Sequence, residues 1–93
     1  MNEELVDNLK TRGDRINRRN HTLLARYFYW SEIKRIRFDD VIRILENSEF
    51  FVEYQTISRI ITSYDGYYAF IKGMSSKDGI KYLKTKYPSW NWD

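Results

Sequence analysis

Seven of the sixteen basic residues fall between positions 15 and 37: Arg15, Arg18, Arg19, Arg26, Lys34, Arg35 and Arg37, against Glu32 alone. Cations at this density suit a phosphate backbone. Each phosphate they neutralise releases condensed counterions, and arginine adds a planar fork that fits two phosphate oxygens. Lys77, Lys81 and Lys84 recur at i, i+4 and i+7, one side of a helix. They form either a second phosphate-contacting patch or a plain solvated face. Between the two basic sets lies a polar one: Gln55, Thr56, Ser58, Arg59 and Thr62. Glutamine can pair with adenine and arginine with guanine, and hydroxyls reach bases or phosphates. The chemistry these residues offer is recognition of nucleic acid. Arg15, Arg18, Arg19, Arg26, Lys34, Arg35, Arg37, Lys77, Lys81 and Lys84 would contact phosphates, and the 55–62 set would read bases.

Catalysis has little to work with. The single histidine, His21, stands beside Arg18, Arg19 and Asn20 with no obvious carboxylate to orient it as a base. A surface or phosphate-contacting role fits it better. There is no cysteine, so disulfides, thiolate metal sites and cysteine nucleophiles are excluded. Asp39-Asp40 reads as helix capping rather than a metal site. Gly66 and Gly73 lack the spacing and the lysine of a phosphate loop. No enzyme activity, cofactor or metal is expected. Tyr64, Tyr67 and Tyr68 could stack on bases, but packing in a core is the simpler use for them.

The formal charge of +3 is the remainder of an uneven distribution. Residues 1–14 carry a net −2, residues 15–37 a net +6, residues 38–65 a net −4 and residues 66–93 a net +3. Two basic segments therefore flank an acidic middle, as happens when basic groups line one side of a fold.

The elements that must position these groups are helical. Leu5 and Leu9 suit a short helix over 3–12. Gly13-Asp14 breaks it, and Asp14 is placed to cap a long helix over about 15–36. Its ARYFYW stretch, residues 25–30, puts aromatics around much of the circumference, which marks a central helix or an interface. Val41, Ile42 and Leu45 give a helix over 40–47, capped by Asp39 or Asp40. Ile57, Ile60, Ile61 and Tyr64 give another over 53–64. Asp65-Gly66 reads as its end. Residues 67–71 are ambiguous between strand and helical turn. Ser75 or Ser76 caps a last helix over 77–86, stopped by Pro88. Trp90 and Trp92 should dock on the domain or on a partner. The fold expected is a compact all-α domain of four or five helices spanning 1–93, with one modest core for its 93 residues. No apolar run approaches the ~18 residues of a membrane span. The polar, acidic start is unlike a secretory leader, so no membrane and a cytoplasmic location are expected.

Residues 37–61, RFDDVIRILENSEFFVEYQTISRII, read as helix, short turn, helix, with Phe50 or Phe51 dropping into the core. This stretch resembles the helix-turn-helix of the bacterial initiator DnaA and of sigma-factor-like domains. There, a Thr or Ser early in the second helix is followed by an aliphatic and a basic residue. Thr56, Ile57 and Arg59 stand in comparable places, and the resemblance covers about 25 of the 93 residues. The chain as a whole also resembles small helix-turn-helix proteins of phages and mobile elements. The resemblance implies a helix-turn-helix over 39–64 whose second helix enters the major groove. The expected function is sequence-specific binding of double-stranded DNA by a small regulator or accessory factor of a mobile element. A homodimer would double the contact set on a palindromic site, with residues 27–30 or the Trp90/Trp92 tail as its interface. The alternative is a protein-interaction module, such as a phage-encoded inhibitor of a host nucleic-acid enzyme. Abundant aromatics and the acidic middle suit that role.

Overall fold

A computed structural model describes residues 12–93. Helix α1, Arg12–Phe28, is the longest element. Asp14 sits in its first turn rather than ahead of it, where its carboxylate complements the helix dipole. The expected break at Gly13-Asp14 is therefore absent, and the helix expected over 3–12 falls, but for Arg12, outside the described residues. The chain continues from α1 as a π-helical turn, Tyr29–Ile33. Lys34 N–H donates to the Tyr29 carbonyl at 2.9 Å and Ile36 N–H to that of Trp30 at 3.0 Å. Arg35 closes this corner in the left-handed region, φ 55°.

The device then repeats. Helix α2, Phe38–Ile44, runs into a π-helical turn, Leu45–Glu49. Phe50 N–H donates to the Leu45 carbonyl at 2.9 Å, and Phe51 follows with φ 57°. Asp39 and Asp40 lie inside the first turn of α2, and its N-cap is Arg37. Helix α3 spans Tyr54–Ser63 and α4 spans Asp65–Lys72, so Asp65-Gly66 begins a helix instead of ending one. The ambiguous 67–71 stretch is thereby helical. Helix α5 spans Ser76–Lys86, with the Ser75 hydroxyl accepting from Asp78 N–H at 3.1 Å as its cap. The described residues form an all-α fold of five helices. None of these helices is long and apolar enough to cross a membrane.

Helix α1 is central because it buries residues on two sides. Leu23 and Leu24 pack with Val41 and Ile42 of α2, Leu45 of the π-helical turn after it, and Ile57 and Ile60 of α3. Ala25, Phe28 and Tyr29 pack with Ile71, Leu83, Tyr87 and Trp92. Each fully buried aliphatic side chain contributes about 1.5–3 kcal/mol. The single core expected thus resolves into two clusters, bridged by Trp30, Tyr67 and Tyr68, which touch both. Gly79 lets α5 press close: a Cβ there would meet the Phe28 ring at 3.4 Å. The aromatics proposed as a dimer interface are largely spent inside. Phe28 and Tyr29 are buried, Trp30 is half-buried and Trp92 is 2% exposed.

Candidate nucleic-acid interface

With 3.6 residues per turn, Arg15, Arg18, Arg19, Thr22 and Arg26 fall on one side of α1. The two ends of this row have different fates. Arg15, Arg18 and Arg19 are exposed. The Arg19 guanidinium donates to the Asn20 amide oxygen at 3.0 and 3.2 Å, which satisfies the oxygen of a buried side chain. Arg26 is only 4% exposed. Its Nε and Nη2 donate to Glu49 Oε1 and Oε2 at 3.0 and 2.6 Å, and Nη1 donates to the Asn91 carbonyl. Trp30 Nε1 adds a bond to Glu49 Oε2 at 3.2 Å. The rings of Tyr29, Trp30, Trp90 and Trp92 surround the guanidinium at 4.8–5.2 Å. Arg26 is therefore a core residue, and its expected phosphate contact is ruled out by burial and by donors already committed. Glu49, one of the acids of the 38–65 segment, is its internal counter-ion.

The other expected phosphate contacts are dispersed. Lys34 Nζ donates to the Asp93 carbonyl at 2.6 Å and lies 5.7 Å from the Tyr29 ring centre. Lys84 pairs with the Asp93 carboxylate at 2.7 Å; its hydrogen bond and charge hold that carboxyl below its ordinary range. Arg35 and Arg37 are exposed at the corner before α2. Lys77 and Lys81 are exposed on α5 and form no ion pair among the described residues.

A cation outside the expected set completes the α1 row. Lys86, at the end of α5, joins Arg18 in lining a cavity of about 430 Å³ between α1 and the chain that follows α5. Lys86 lies off the i, i+4, i+7 row of lysines. The packing of its neighbours Leu83 and Tyr87 with Ala25 and Phe28 brings it to α1, and the chain through Pro88 and Trp90 closes the cavity's other wall. Partial burial, then the nearby Lys86 charge, pushes the His21 pKa below its ordinary value of 6.5. His21 is thus mainly neutral at neutral pH. Its ring stacks on Tyr67 at 4.5 Å and meets Tyr64 edge-on at 5.4 Å, so it is a packed aromatic as much as a surface group. Tyr67 and Tyr68 pack inside too. The Tyr67 hydroxyl bonds those of Tyr82 and Tyr87 at 2.9 and 2.5 Å. Burial, then the Glu32 carboxylate, pushes Tyr68 up to about 12.

The base-reading set sits elsewhere. On α3, Gln55, Arg59 and Thr62 are exposed, while Thr56 and Ser58 are half-buried. The Thr62 hydroxyl donates to the Ser58 carbonyl at 2.8 Å. The side of α1 facing α3 and α4 carries Asn17, which accepts from the Tyr64 hydroxyl at 2.5 Å, and His21. Arg18 projects about 100° around α1 from Asn17, and Arg15 about 160°. The arginine row and the reading face are therefore on different sides of α1. The first turn of α3 also has acidic neighbours. Tyr54 shares a shallow cavity of about 290 Å³ with Phe38, Asp39, Ile42, Arg43 and Glu46, and Glu53 is exposed just before it.

That cavity reflects the repeated corner. Arg35 and Phe51 are each followed by a half-buried aliphatic residue, Ile36 or Val52, and an extended N-cap, Arg37 or Glu53. Each helix then opens with an aromatic, Phe38 or Tyr54, both 48% exposed. Phe50 packs against Trp90, while Phe51 is 74% exposed. No group of three or more metal-ligating side chains is assembled among the described residues. In comparisons with known proteins, no family model, no curated protein and no solved structure matches this chain.

Proposed function

We propose that this protein binds double-stranded DNA through the arginine side of α1 and the adjoining end of α5, and that contacts to the phosphate backbone dominate its affinity. One observation carries the reading. Arg15, Arg18 and Arg19 form an exposed row that Lys86 extends, and no carboxylate among the described residues lines the cavity between Arg18 and Lys86. A row of cations without counter-ions among the described residues favours a polyanion. Base reading by α3 is the weaker half of the expected division of labour. Gln55, Arg59 and Thr62 are accessible, but they lie on another side of α1 and begin beside Asp39, Glu46 and Glu53.

The test is duplex affinity measured across salt concentrations. Arg15→Ala, Arg18→Ala and Arg19→Ala should each reduce the steepness of the salt dependence by about one ion per contact. Arg59→Ala should leave it unchanged and, if α3 reads bases, should lower only the preference between sequences. Absence of duplex binding at low salt would overturn the proposal. The exposed Phe38, Phe51 and Tyr54 favour a second reading, a protein-interaction module. Exposed aromatics beside a cavity are common anchors of protein interfaces.

A further inference from the structure

The cavity beside Arg18 has features that a track for a continuous backbone does not need. Arg18 contributes one cation from α1, and Lys86 another from the end of α5. The lining Ser89 hydroxyl has no hydrogen-bond partner among the described residues. The exposed arginines of the row also end at this cavity. The next arginine of the row, Arg26, lies beneath Trp90 with its donors committed to Glu49 and Asn91. Pro88 and Trp90 line the cavity, and Trp90 also covers Arg26. An internal phosphodiester brings one negative charge. A phosphomonoester brings about 1.5–2 near neutral pH and three terminal oxygens. Two cations, a hydroxyl and no facing carboxylate match the second.

We propose that this cavity binds a phosphomonoester, carried by the end of a nucleic-acid strand or by a free nucleotide. The proposal rests on the nucleic-acid reading for the strand-borne source, but not for the chemistry of the site. Calorimetric titrations of the full chain separate the cases. The ligands are a short duplex with 5′-phosphate ends, the same duplex with 5′-hydroxyl ends, and adenosine 5′-monophosphate. The proteins are the wild type, Arg18→Ala, Lys86→Ala and, as control, Lys77→Ala. The phosphorylated duplex should bind about tenfold more tightly than its hydroxyl-ended twin, the gain from one charge-assisted hydrogen bond. That ratio should fall to near one in Arg18→Ala and Lys86→Ala and persist in Lys77→Ala. Equal affinity for the two duplexes in the wild type, with no Arg18-dependent binding of the monophosphate, overturns the phosphomonoester site and leaves the nucleic-acid reading standing. Binding of the monophosphate that depends on Arg18, without binding of either duplex, upholds the site and overturns that reading. No binding of any ligand overturns both.

Discussion

Arg18 and Arg26 lie on the same side of the same helix, two turns apart, Arg18 among polar neighbours and Arg26 at the start of the ARYFYW stretch. Arg18 is exposed beside an open cavity, and Arg26 is sealed under three tryptophans and a tyrosine and paired with Glu49. The neighbouring Tyr29 and Trp30 supply part of that cover; the rest comes from residues 49 and 90–92, which are distant in sequence and arrive only through the fold. The same contrast recurs within two other residue types. Tyr67 is knitted to two tyrosine hydroxyls whereas Tyr54 is exposed, and Phe50 stacks on Trp90 whereas Phe51 points to solvent. Residue type alone does not assign a role here; the cover supplied by a remote segment does.

The largest expected effect is at Arg26. Removing one partner of a buried, hydrogen-bonded pair leaves the other charge without water or counter-ion, at a cost of about 3–5 kcal/mol. Arg26→Met should therefore lower the urea midpoint steeply, and adding Glu49→Leu should recover much of the loss. Arg18→Ala should hardly move it. If Arg26→Met proves as mild as Arg18→Ala, the contrast between the two ends of the row is wrong.

A smaller effect separates the buried tyrosines from the exposed one. Burial raises the folded-state pKa of Tyr67 and Tyr68 above the ordinary value near 10, to about 12 for Tyr68. The folded state then holds these protons more tightly than the unfolded chain. Their contribution is complete below pH 10 and is lost as pH rises from 10 through about 12 for Tyr68, with each tenfold difference in acidity carrying about 1.4 kcal/mol. Alkaline titration of stability should show this decline. It should be shallower in Tyr67→Phe and unchanged in Tyr54→Phe; identical curves for all three proteins would count against buried tyrosine ionisation.

The smallest effect is a gain. Phe51 holds a left-handed backbone while packing little of its ring. Glycine adopts that conformation without the side-chain penalty, so Phe51→Gly should stabilise the fold by about 1 kcal/mol. Phe50→Gly should destabilise it, because the ring stacked on Trp90 is lost. A Phe51→Gly protein no more stable than wild type would show that the corner is not strained.

Much of the helical framework was legible in the sequence. The apolar spacing of Val41, Ile42 and Leu45, and of Ile57, Ile60 and Ile61, locates α2 and α3 to within a few residues, and Ser75 does cap α5. The π-helical turns were not legible, since an i to i+5 bond adds about one residue to a single turn and no residue type marks it. Nor were the corners at Arg35 and Phe51, because left-handed residues are usually signalled by glycine or asparagine. The candidate site was legible in part. Arg15, Arg18 and Arg19 could be found from charge density, whereas Lys86 and the sealing of Arg26 depend on where residues 87–92 lie.

All three tryptophans of the chain contact one guanidinium. Intrinsic emission from this protein is therefore a local gauge rather than a global one. It reports chiefly whether the segment bearing Trp90 and Trp92 is seated over Arg26; α3 carries no tryptophan and is sensed only through the packing of Trp30 against the first cluster. Optical signals that follow the indoles and those that follow the helices are two separate instruments on this molecule. Any lag between them times the seating of the segment bearing Trp90 and Trp92 against the helices it covers.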